Sequence, residues 1–534
     1  MPKNQIECNN TSTAVHALSH SVGSRLIQNS AATFCGQAVV VGITFVATPY
    51  MTRKLGPSGY GTLSLLMAYL FAFGLLNLGI NTSLVKFLAE LLTRGRQDEM
   101  QRYFSTSFTV LLAIGLTAGA TVWGLAGVIV ERCFHGEAAL IPSATLALRI
   151  ASVAFVLQFL CQVFSAVPAA AQRFEILSLI GNGTTVLRIL GTVALLWLGR
   201  GLPSLMTVVV FAVGVSALAY GFAAKRLLPG LRLAPGWSRP HGRSLLGHSK
   251  FVIVVNASNH FVSTVDSFLI GFFLPVANVA YYGVAYSIAQ RLWVFIANLV
   301  SVVFPAASAF SGESDQGRFN ELYVRGMKVT AMTAAFPSLA FCVFAYPFLR
   351  FWLSQGYADR GAPVLILVTL GFLLNSFSFV ASQVLQSTHR VNFAASSSLI
   401  YSLLNLASFL ILIPRFGILG AAGGFLGCQV LFVPWFVHRT NSLLGVSWGR
   451  LIVSSYLGAF SCAGVASGVC WMFLGRIHSL VGLAVAGFVG LGVYVAGGAV
   501  VILDRRDREA ARLLLRRWLA AVKPGLRTIW VSIS

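Results

Sequence analysis

Charged residues are scarce in this sequence. Asp, Glu, Lys and Arg together account for 10% of the 534 residues, and only 15 of them are acidic. Ordinary soluble proteins carry about 25% charged residues, so this amount of charge cannot cover the surface of several soluble domains. Hydrophobic residues make up 57% of the chain, and the mean hydropathy is +0.79. The composition excludes a string of soluble domains and predicts a protein that crosses a membrane many times.

Cysteines are few, and the common catalytic motifs are missing. The eight cysteines lie mostly inside apolar runs and have no CxxC spacing, which predicts neither a zinc site nor a disulfide framework. The polar residues 1–24 lack the apolar stretch of a signal peptide. No Walker A, DxD, HExxH or GxSxG motif occurs. We therefore predict no metal and no cofactor.

Apolar runs long enough to span a bilayer recur along the whole chain. A hydrocarbon core of about 30 Å requires about 20 apolar residues per helix, and fourteen runs meet this requirement. Charges, Pro-Gly turns or polar clusters separate the runs. The predicted spans cover residues 29–51, 60–81, 104–130, 143–166, 177–198, 203–224, 251–273, 281–304, 329–349, 362–384, 393–413, 417–436, 451–474 and 479–503.

Basic residues are distributed unevenly between the two sides of the predicted membrane. With a cytoplasmic N-terminus, 27 of the 38 Lys and Arg residues lie in inside segments, eight lie in outside loops and three lie within spans. Positive charge collects on the cytoplasmic side, so we predict a multi-pass protein of the inner (plasma) membrane with both termini inside. Membrane orientation thus explains the net charge of +23, and no nucleic acid partner is predicted.

The two halves of the chain form a weak repeat. Tyr60-Gly61 opens span 2 and Tyr282-Gly283 opens span 8. Six spans per copy give both copies the same orientation, which predicts an all-α fold of two six-helix lobes around a central cavity. Two extra C-terminal helices complete about 14 transmembrane helices. The predicted layout is a cytoplasmic N-terminal tail (1–28), an N-lobe (29–224), a basic cytoplasmic linker (225–250), a C-lobe (251–436), extra spans 13 and 14 (437–503) and a basic amphipathic cytoplasmic tail (504–534).

Two basic segments are predicted to lie on the anionic inner leaflet. The linker 225–250 contains six Lys or Arg residues, no acidic residue and three prolines that discourage a continuous helix. In the tail, the apolar residues between Ala511 and Val522 recur at helical spacing, and the arginines lie largely opposite them. Docking of a partner protein is the alternative role for the tail.

Three groups of short motifs occur in order along the chain. They are Leu55–Gly61 with Leu78–Ile80, Asp266–Gly271 with Tyr281–Gly283, and Ile413–Ala422. Their sequences, LGPSGYG with LGI, DSFLIG with YYG, and IPRFGILGAA, resemble those of oligosaccharide flippases in the multidrug/oligosaccharidyl-lipid/polysaccharide exporter superfamily. The resemblance implies that a lipid-linked oligosaccharide is flipped from the inner to the outer leaflet. It also implies that the protein has no catalytic residues.

Charged residues within or beside the predicted spans are the candidate cavity residues. The cations are Arg149, Arg188 and Arg291, with Lys86 just past the inner end of span 2. Guanidinium groups offer bidentate donors to phosphate oxygens, so a cationic cavity suits a diphosphate. Arg188 and Arg291 come from different predicted lobes, as a clamp on the substrate requires. The alternatives are snorkelling to the interface for Arg149, anchoring at the inner end for Lys86, and internal pairing for the others.

Polar residues of span 7 form a second candidate set. Asn256, Asn259 and His260 are spaced i, i+3 and i+4 and therefore share one face; helix–helix hydrogen bonding is the alternative role. Asp266, in the same span, is either a structural counter-ion to Arg291 or a carboxylate that couples transport to a cation. The structural role is favoured.

The sequence leaves alternatives to the flippase open. A cation-coupled multidrug antiporter of the same superfamily needs carboxylates or aromatic residues in its cavity, and every acidic residue of the predicted N-lobe and its tail lies outside the spans, which argues against it. A lipid II flippase is a further alternative, and a membrane polysaccharide polymerase or ligase is the rival from another class. The predicted partners are the lipid-linked glycan, membrane lipids and, as further candidates, other polysaccharide assembly proteins.

Overall fold

A computed structural model describes residues 4–73, 79–133, 138–301, 316–387 and 391–501. Within these residues the regular structure is helical, and no strand occurs. We number the α-helices in chain order: α1 (Asn4–Phe73), α2 (Ile80–Arg94), α3 (Gln97–Cys133), α4 (Ile141–Ala170), α5 (Phe174–Trp197), α6 (Leu202–Leu227), α7 (Arg239–Phe273), α8 (Ala277–Ser301), α9 (Gln316–Trp352), α10 (Gln355–Ser387), α11 (Val391–Leu444), α12 (Trp448–Leu451), α13 (Gly458–Met472) and α14 (Leu480–Val501).

The helices have the length and composition of membrane spans. In the described part of the chain, nine helical stretches are long and apolar enough to cross a bilayer. They lie on α3 to α6, on α9 to α11, on the segment from α12 through α13, and on α14. The prediction of an all-α, multi-pass membrane protein is thereby confirmed. The predicted C-terminal tail, 504–534, lies outside the described residues.

Two of the helices contain a sharp break at a glycine. α1 has 70 residues and α11 has 54, whereas a bilayer core of about 30 Å needs only about 20. The backbone is non-helical at Gly56 (φ 66°, ψ 174°) and at Gly417 (φ 61°, ψ −139°). Glycine adopts such positive φ angles without the steric penalty of a side chain. Each break lies where the sequence predicts a turn between consecutive spans, so α1 and α11 each hold two predicted spans.

Two helix boundaries differ from the sequence prediction. Span 2 was expected to continue to residue 81, but a separate 15-residue helix, α2, begins at Ile80. At about 1.5 Å per residue, α2 is only about 22 Å long, and it buries Leu84, Leu88 and Leu91 on one face. α7 begins at Arg239, inside the predicted linker 225–250. Pro240 occupies the first turn of α7, where a missing N–H breaks no intrahelical bond.

The chain divides into two compact units. Unit 1 comprises Met1–Gly283 and Ser398–Leu406, and unit 2 comprises Val284–Ser397 and Ala407–Ser534. Unit 1 includes α7, which packs against α1, α2 and α3. The predicted C-lobe covers residues 251–436, so the compact units and the predicted lobes differ by α7, the start of α8 and Ser398–Leu406 of α11. The lobe boundaries remain a prediction.

The core of unit 1 forms where α4 packs against α2, α3 and α6. Its side chains come from all four of these helices and include Leu84 and Leu88 of α2, Phe104 of α3, and Phe159 and Val163 of α4. Each of these five side chains is at most 1% exposed. The buried face of α2 is therefore an integral part of the core rather than an additional membrane span.

The two extra C-terminal helices pack on α9 inside unit 2. Phe336 of α9 stacks on Tyr494 of α14 with ring centroids 5.2 Å apart. The Tyr494 hydroxyl donates a hydrogen bond to the carbonyl oxygen of Met332 over 2.7 Å. A Cβ atom on Gly490 would overlap the sulfur of Cys470, so α13 and α14 are in close contact. These helices belong to the core of unit 2.

Gly61 provides a test of the close packing in unit 1. A Cβ atom on Gly61 would overlap the carbonyl oxygen of Val276, and this backbone cannot easily move. Overpacking of this kind costs about 1–3 kcal/mol. We expect Gly61→Ala to lower the thermal unfolding temperature of the detergent-purified protein.

Gly283→Ala is the matched control, because Gly283 also follows a tyrosine within a helix but has open space around its Cβ position. Equal unfolding temperatures for Gly61→Ala and Gly283→Ala would contradict the close packing of α1 on the start of α8.

Candidate functional site

Arg188 lies near the middle of α5 and is half-buried. Its Nη1 atom lies 3.9 Å from the sulfur of Met67 in α1, which is a weak acceptor. Among the described residues, the Met67 sulfur is the one polar partner of the Arg188 guanidinium, and no carboxylate lies within ion-pair distance of that guanidinium. Arg188 therefore retains donors that an anionic ligand could use.

The second arm of α1, after the break at Gly56, lies between α5 and α7. Met67 contacts Arg188 of α5, and the Tyr69 ring contacts the Phe268 ring of α7 edge-to-face at 4.5 Å. Two residues along a helix correspond to about 200° of rotation, so these side chains point in nearly opposite directions. The arm therefore separates Arg188 from the part of α7 that carries Asp266.

Asp266 is a buried carboxylate with neutral neighbours. Its side chain is 1% exposed. Its Oδ1 atom accepts a hydrogen bond from the backbone N–H of Ser267 over 2.6 Å, and the Tyr282 hydroxyl lies beside the carboxylate. Within unit 1, no described Lys or Arg forms an ion pair with Asp266. Asp266 and Arg188 therefore do not neutralise each other by direct contact.

The other predicted cations lie at exposed positions. Lys86 is exposed on α2, and Arg149 is exposed on α4, eight residues after the first residue of that helix. This distance is about 12 Å along the axis, within reach of the membrane interface for a snorkelling arginine. In unit 1, the structure thus places Arg188 in a packed environment and leaves Lys86 and Arg149 at the surface.

Arg291 belongs to unit 2 and is exposed on α8. The opposite face of α8 carries Tyr286 and Trp293, which both pack on Phe372 of α10 with ring centroids 5.4 and 5.8 Å away. Tyr286 and Trp293 are seven residues apart and share a face. The aromatic face fixes the rotation of α8 about its axis within unit 2 and directs Arg291 away from that unit's core.

Asn256, Asn259 and His260 lie on α7 as predicted, at spacings that place them on one face of the helix. Their side chains lie outside the described residues, so their role as a cavity lining stays a prediction.

Two neighbours of the predicted site were not identified from the sequence. Met67 and Tyr282 lie against Arg188 and Asp266, respectively. Met67 is 121 residues from Arg188 in the chain, and nothing in its local sequence marks it. Tyr282 belongs to the same group of short motifs as Asp266, and that shared group was the available signal in the sequence.

The sequence also matches known proteins. Residues 50–361 match the family described as polysaccharide biosynthesis protein, and this match covers more than half of the chain. The chain belongs to this family.

Individual relatives extend the comparison. This family member is 25% identical over 276 residues to the "Probable low-salt glycan biosynthesis flippase Agl15" of Haloferax volcanii. That alignment covers 51% of this chain and 56% of the archaeal protein, so the chain spans about half the length of this relative. The chain is also 19% identical over 426 residues to the "Putative O-antigen transporter" of Shigella flexneri. This second alignment covers 79% of the chain and 97% of the Shigella protein.

A solved structure has the same fold. The lipid II flippase MurJ in an inward closed conformation is similar with a TM-score of 0.73 and 16% sequence identity. The similarity covers 89% of this chain and 98% of the MurJ chain. The family match and these relatives confirm the resemblance to oligosaccharide flippases, and the MurJ structure confirms the fold.

Arg188 provides a stability test that is independent of transport. Burying part of a cation without a carboxylate partner costs desolvation energy that nothing described here offsets. We expect Arg188→Met to leave the thermal unfolding temperature of the purified protein unchanged or to raise it, with a gain on the order of 1 kcal/mol.

Arg173→Met is the control, because Arg173 is exposed and pairs with Glu175 at 3.1 Å, a contact worth at most about 1 kcal/mol. A fall of several degrees for Arg188→Met alone would show that Arg188 stabilises the fold through a partner.

Proposed function

We propose that this family member is a flippase that moves an oligosaccharide linked to polyprenyl pyrophosphate from the inner to the outer leaflet, for polysaccharide biosynthesis. The names of the two relatives and the shared fold support a transport role for a lipid-linked glycan. The observation that carries the proposal is the half-buried Arg188, which has no carboxylate partner among the described residues.

The head group of such a substrate poses an electrostatic problem. A pyrophosphate carries negative charge, and each unpaired charge costs several kcal/mol in a hydrocarbon environment. A guanidinium that is already partly desolvated and not neutralised by protein can pair with a phosphate. In the proposed mechanism, Arg188 and Arg291 bind the pyrophosphate from the two predicted lobes during alternating access. Arg149 and Lys86, both exposed, attract the anionic head group towards the cavity.

We assign Asp266 to coupling rather than to a structural ion pair. Its role as a counter-ion to Arg291, which the sequence favours, stays the alternative. A counter-ion would lie within ion-pair distance of its cation, whereas the described neighbours of Asp266 in unit 1 are neutral hydrogen-bonding groups. A buried carboxylate in this setting can bind a proton or a small cation during transport. Asn256, Asn259 and His260 are proposed to line the cavity face of α7 and to bind sugar hydroxyl groups.

A multidrug antiporter is the main alternative and makes a different demand on the cavity. A cationic drug requires a carboxylate in the cavity. Asp266 supplies a buried carboxylate, but the described part of α5 presents a cation, Arg188, that favours an anionic ligand instead. Lipid II remains an alternative substrate, because MurJ shares the fold and the fold does not determine the glycan.

The substrate role of the two arginines is tested by export of the lipid-linked glycan at matched protein levels. We expect Arg188→Ala and Arg291→Ala each to reduce export by about 10- to 100-fold, because each loses a charge-assisted contact of about 1.5–3 kcal/mol. Lysine variants should recover only part of the activity, because lysine keeps the charge but not the bidentate geometry.

Arg325→Ala is the control, since Arg325 is exposed on α9 and pairs with Glu321 at 2.7 Å. Wild-type export by both Ala variants would reject the cationic cavity. Adding Asp266→Asn should not rescue Arg188→Ala, and a rescue would reassign Arg188 to a structural role.

The proposed inner-membrane topology is tested by reporter fusions. The 27 inside and eight outside Lys and Arg residues predict that reporters fused at Gly236 and after Ser534 are cytoplasmic. Reporters fused at Pro57 and Arg200, in predicted outside loops, should be external. An external reporter after Ser534 would contradict both the even number of spans and the shared orientation of the two lobes.

A further inference from the structure

An apolar groove runs between α4 and α6 on the surface of unit 1. Its volume is about 610 Å³, which lies within the range of known ligand pockets, roughly 300–1,000 Å³. Phe164 of α4 forms one wall, and Gly214 and Gly221 of α6 leave space along the other. The glycines are two helical turns apart on the same face of α6, so the groove follows the helix axis.

The groove opens towards the surroundings of the protein. The neighbouring face of α6 is strongly apolar and exposed, with Phe211, Leu218 and Phe222 at 61%, 76% and 69% exposure. α6 is one of the helices long and apolar enough to cross a membrane. An exposed apolar face on such a helix contacts hydrocarbon rather than water. The groove is therefore accessible to lipid chains from the bilayer.

One end of the groove is basic and well defined. Lys225, in the last turn of α6, is the charged residue in the lining, and Leu233 of the following segment closes the same end. The segment is fixed on α3. The side chain of Gln101 accepts a hydrogen bond from the backbone N–H of Arg232 over 2.7 Å and donates one to the backbone carbonyl oxygen of Arg232 over 2.9 Å. The hydroxyl of Thr109 likewise accepts from the N–H of Gly236 over 2.8 Å and donates to the carbonyl oxygen of Gly236 over 2.9 Å.

The charge at this end selects an anionic partner. Residues 225–250 contain six Lys or Arg residues and no acidic residue, and in the proposed topology they lie at the inner leaflet. A single ammonium group at the end of one apolar groove matches a lipid with one phosphodiester charge and an acyl chain that extends into the bilayer. A pyrophosphate would require more than one described cation in the lining.

We propose that this groove is a binding site for an anionic glycerophospholipid of the inner leaflet. One acyl chain lies along Gly214 and Gly221, and the phosphate binds Lys225. The placement at the inner leaflet rests on the proposed topology, whereas the binding itself requires neither that topology nor transport. The segment 228–238, fixed on α3, holds Leu233 at the end of the groove and thereby fixes the position of the head group.

The head-group contact is tested by native mass spectrometry of the full-length detergent-purified protein, titrated with phosphatidylglycerol or phosphatidylcholine of the same acyl chains. We expect at least a tenfold preference for phosphatidylglycerol. Lys225→Gln should remove most of this preference. Arg226→Gln is the matched control, because it removes the same charge from the next residue, which does not line the groove. Equal loss in both variants, or no preference in the wild type, would overturn the proposal.

The chain contact is tested by filling the groove. The Cβ position of Gly221 lies 3.5 Å from the Phe164 ring, an ordinary van der Waals distance, so Gly221→Ala should fold and bind normally. Gly221→Leu extends into the groove and should weaken phosphatidylglycerol binding at least tenfold. Because Gly221 is buried, Gly214→Leu is the second variant; the Gly214 Cβ position is half-buried and, among the described residues, meets only Leu157 at 3.7 Å, and this variant should weaken binding without lowering the unfolding temperature. Unchanged binding by Gly221→Leu would overturn the proposal. Displacement of phosphatidylglycerol by a lower concentration of undecaprenyl phosphate would instead identify a site for the polyprenyl carrier.

Discussion

A cation within a membrane-spanning helix is the constraint on which the proposed mechanism depends. Hydrocarbon provides no hydrogen bonds and little dielectric screening, so a guanidinium there must be neutralised, hydrated or paired with a ligand. The described surroundings of Arg188 provide one weak contact, to Met67, and no carboxylate. Retaining this charge in α5 costs stability, and in the proposed mechanism binding of an anionic head group offsets that cost.

The lack of hydrogen-bonding partners in hydrocarbon also explains where the helices break. Backbone N–H and C=O groups in a bilayer must bond within their own helix, so turns are confined to the positions between spans. Gly56 and Gly417 adopt positive φ angles at such positions, each with a proline nearby in the sequence. These breaks were predictable because a glycine next to charges or a proline interrupts a long apolar run. The shape of α2 was not predictable in this way, since its apolar residues cover only the face that packs on α3 and α4.

The candidate site was predictable in its charges but not in its contacts. Charged residues are so rare in the spans that Arg188 and Asp266 are conspicuous in the sequence. Their neighbours depend on tertiary packing between helices that are distant in sequence. Pairing of in-span charges is the default expectation when a carboxylate and cations are present. In unit 1, Asp266 and Arg188 do not pair with each other, because the second arm of α1 lies between the helices that carry them. The predicted pairing of Asp266 with Arg291 stays a prediction.

α6 relates the proposed lipid groove to the helix that carries the candidate cation. Tyr220 lies next to Gly221 in the chain but faces the neighbouring helix, and its hydroxyl donates to the carbonyl oxygen of Leu177 in α5 over 3.3 Å. One face of α6 therefore contacts α5, while the adjacent face borders the groove and contacts α4. A lipid bound in the groove would fill the space between α4 and α6 and limit movement of α6 relative to the core. Because α5 packs on α6, occupancy of the groove would also stabilise the position from which Arg188 faces α1.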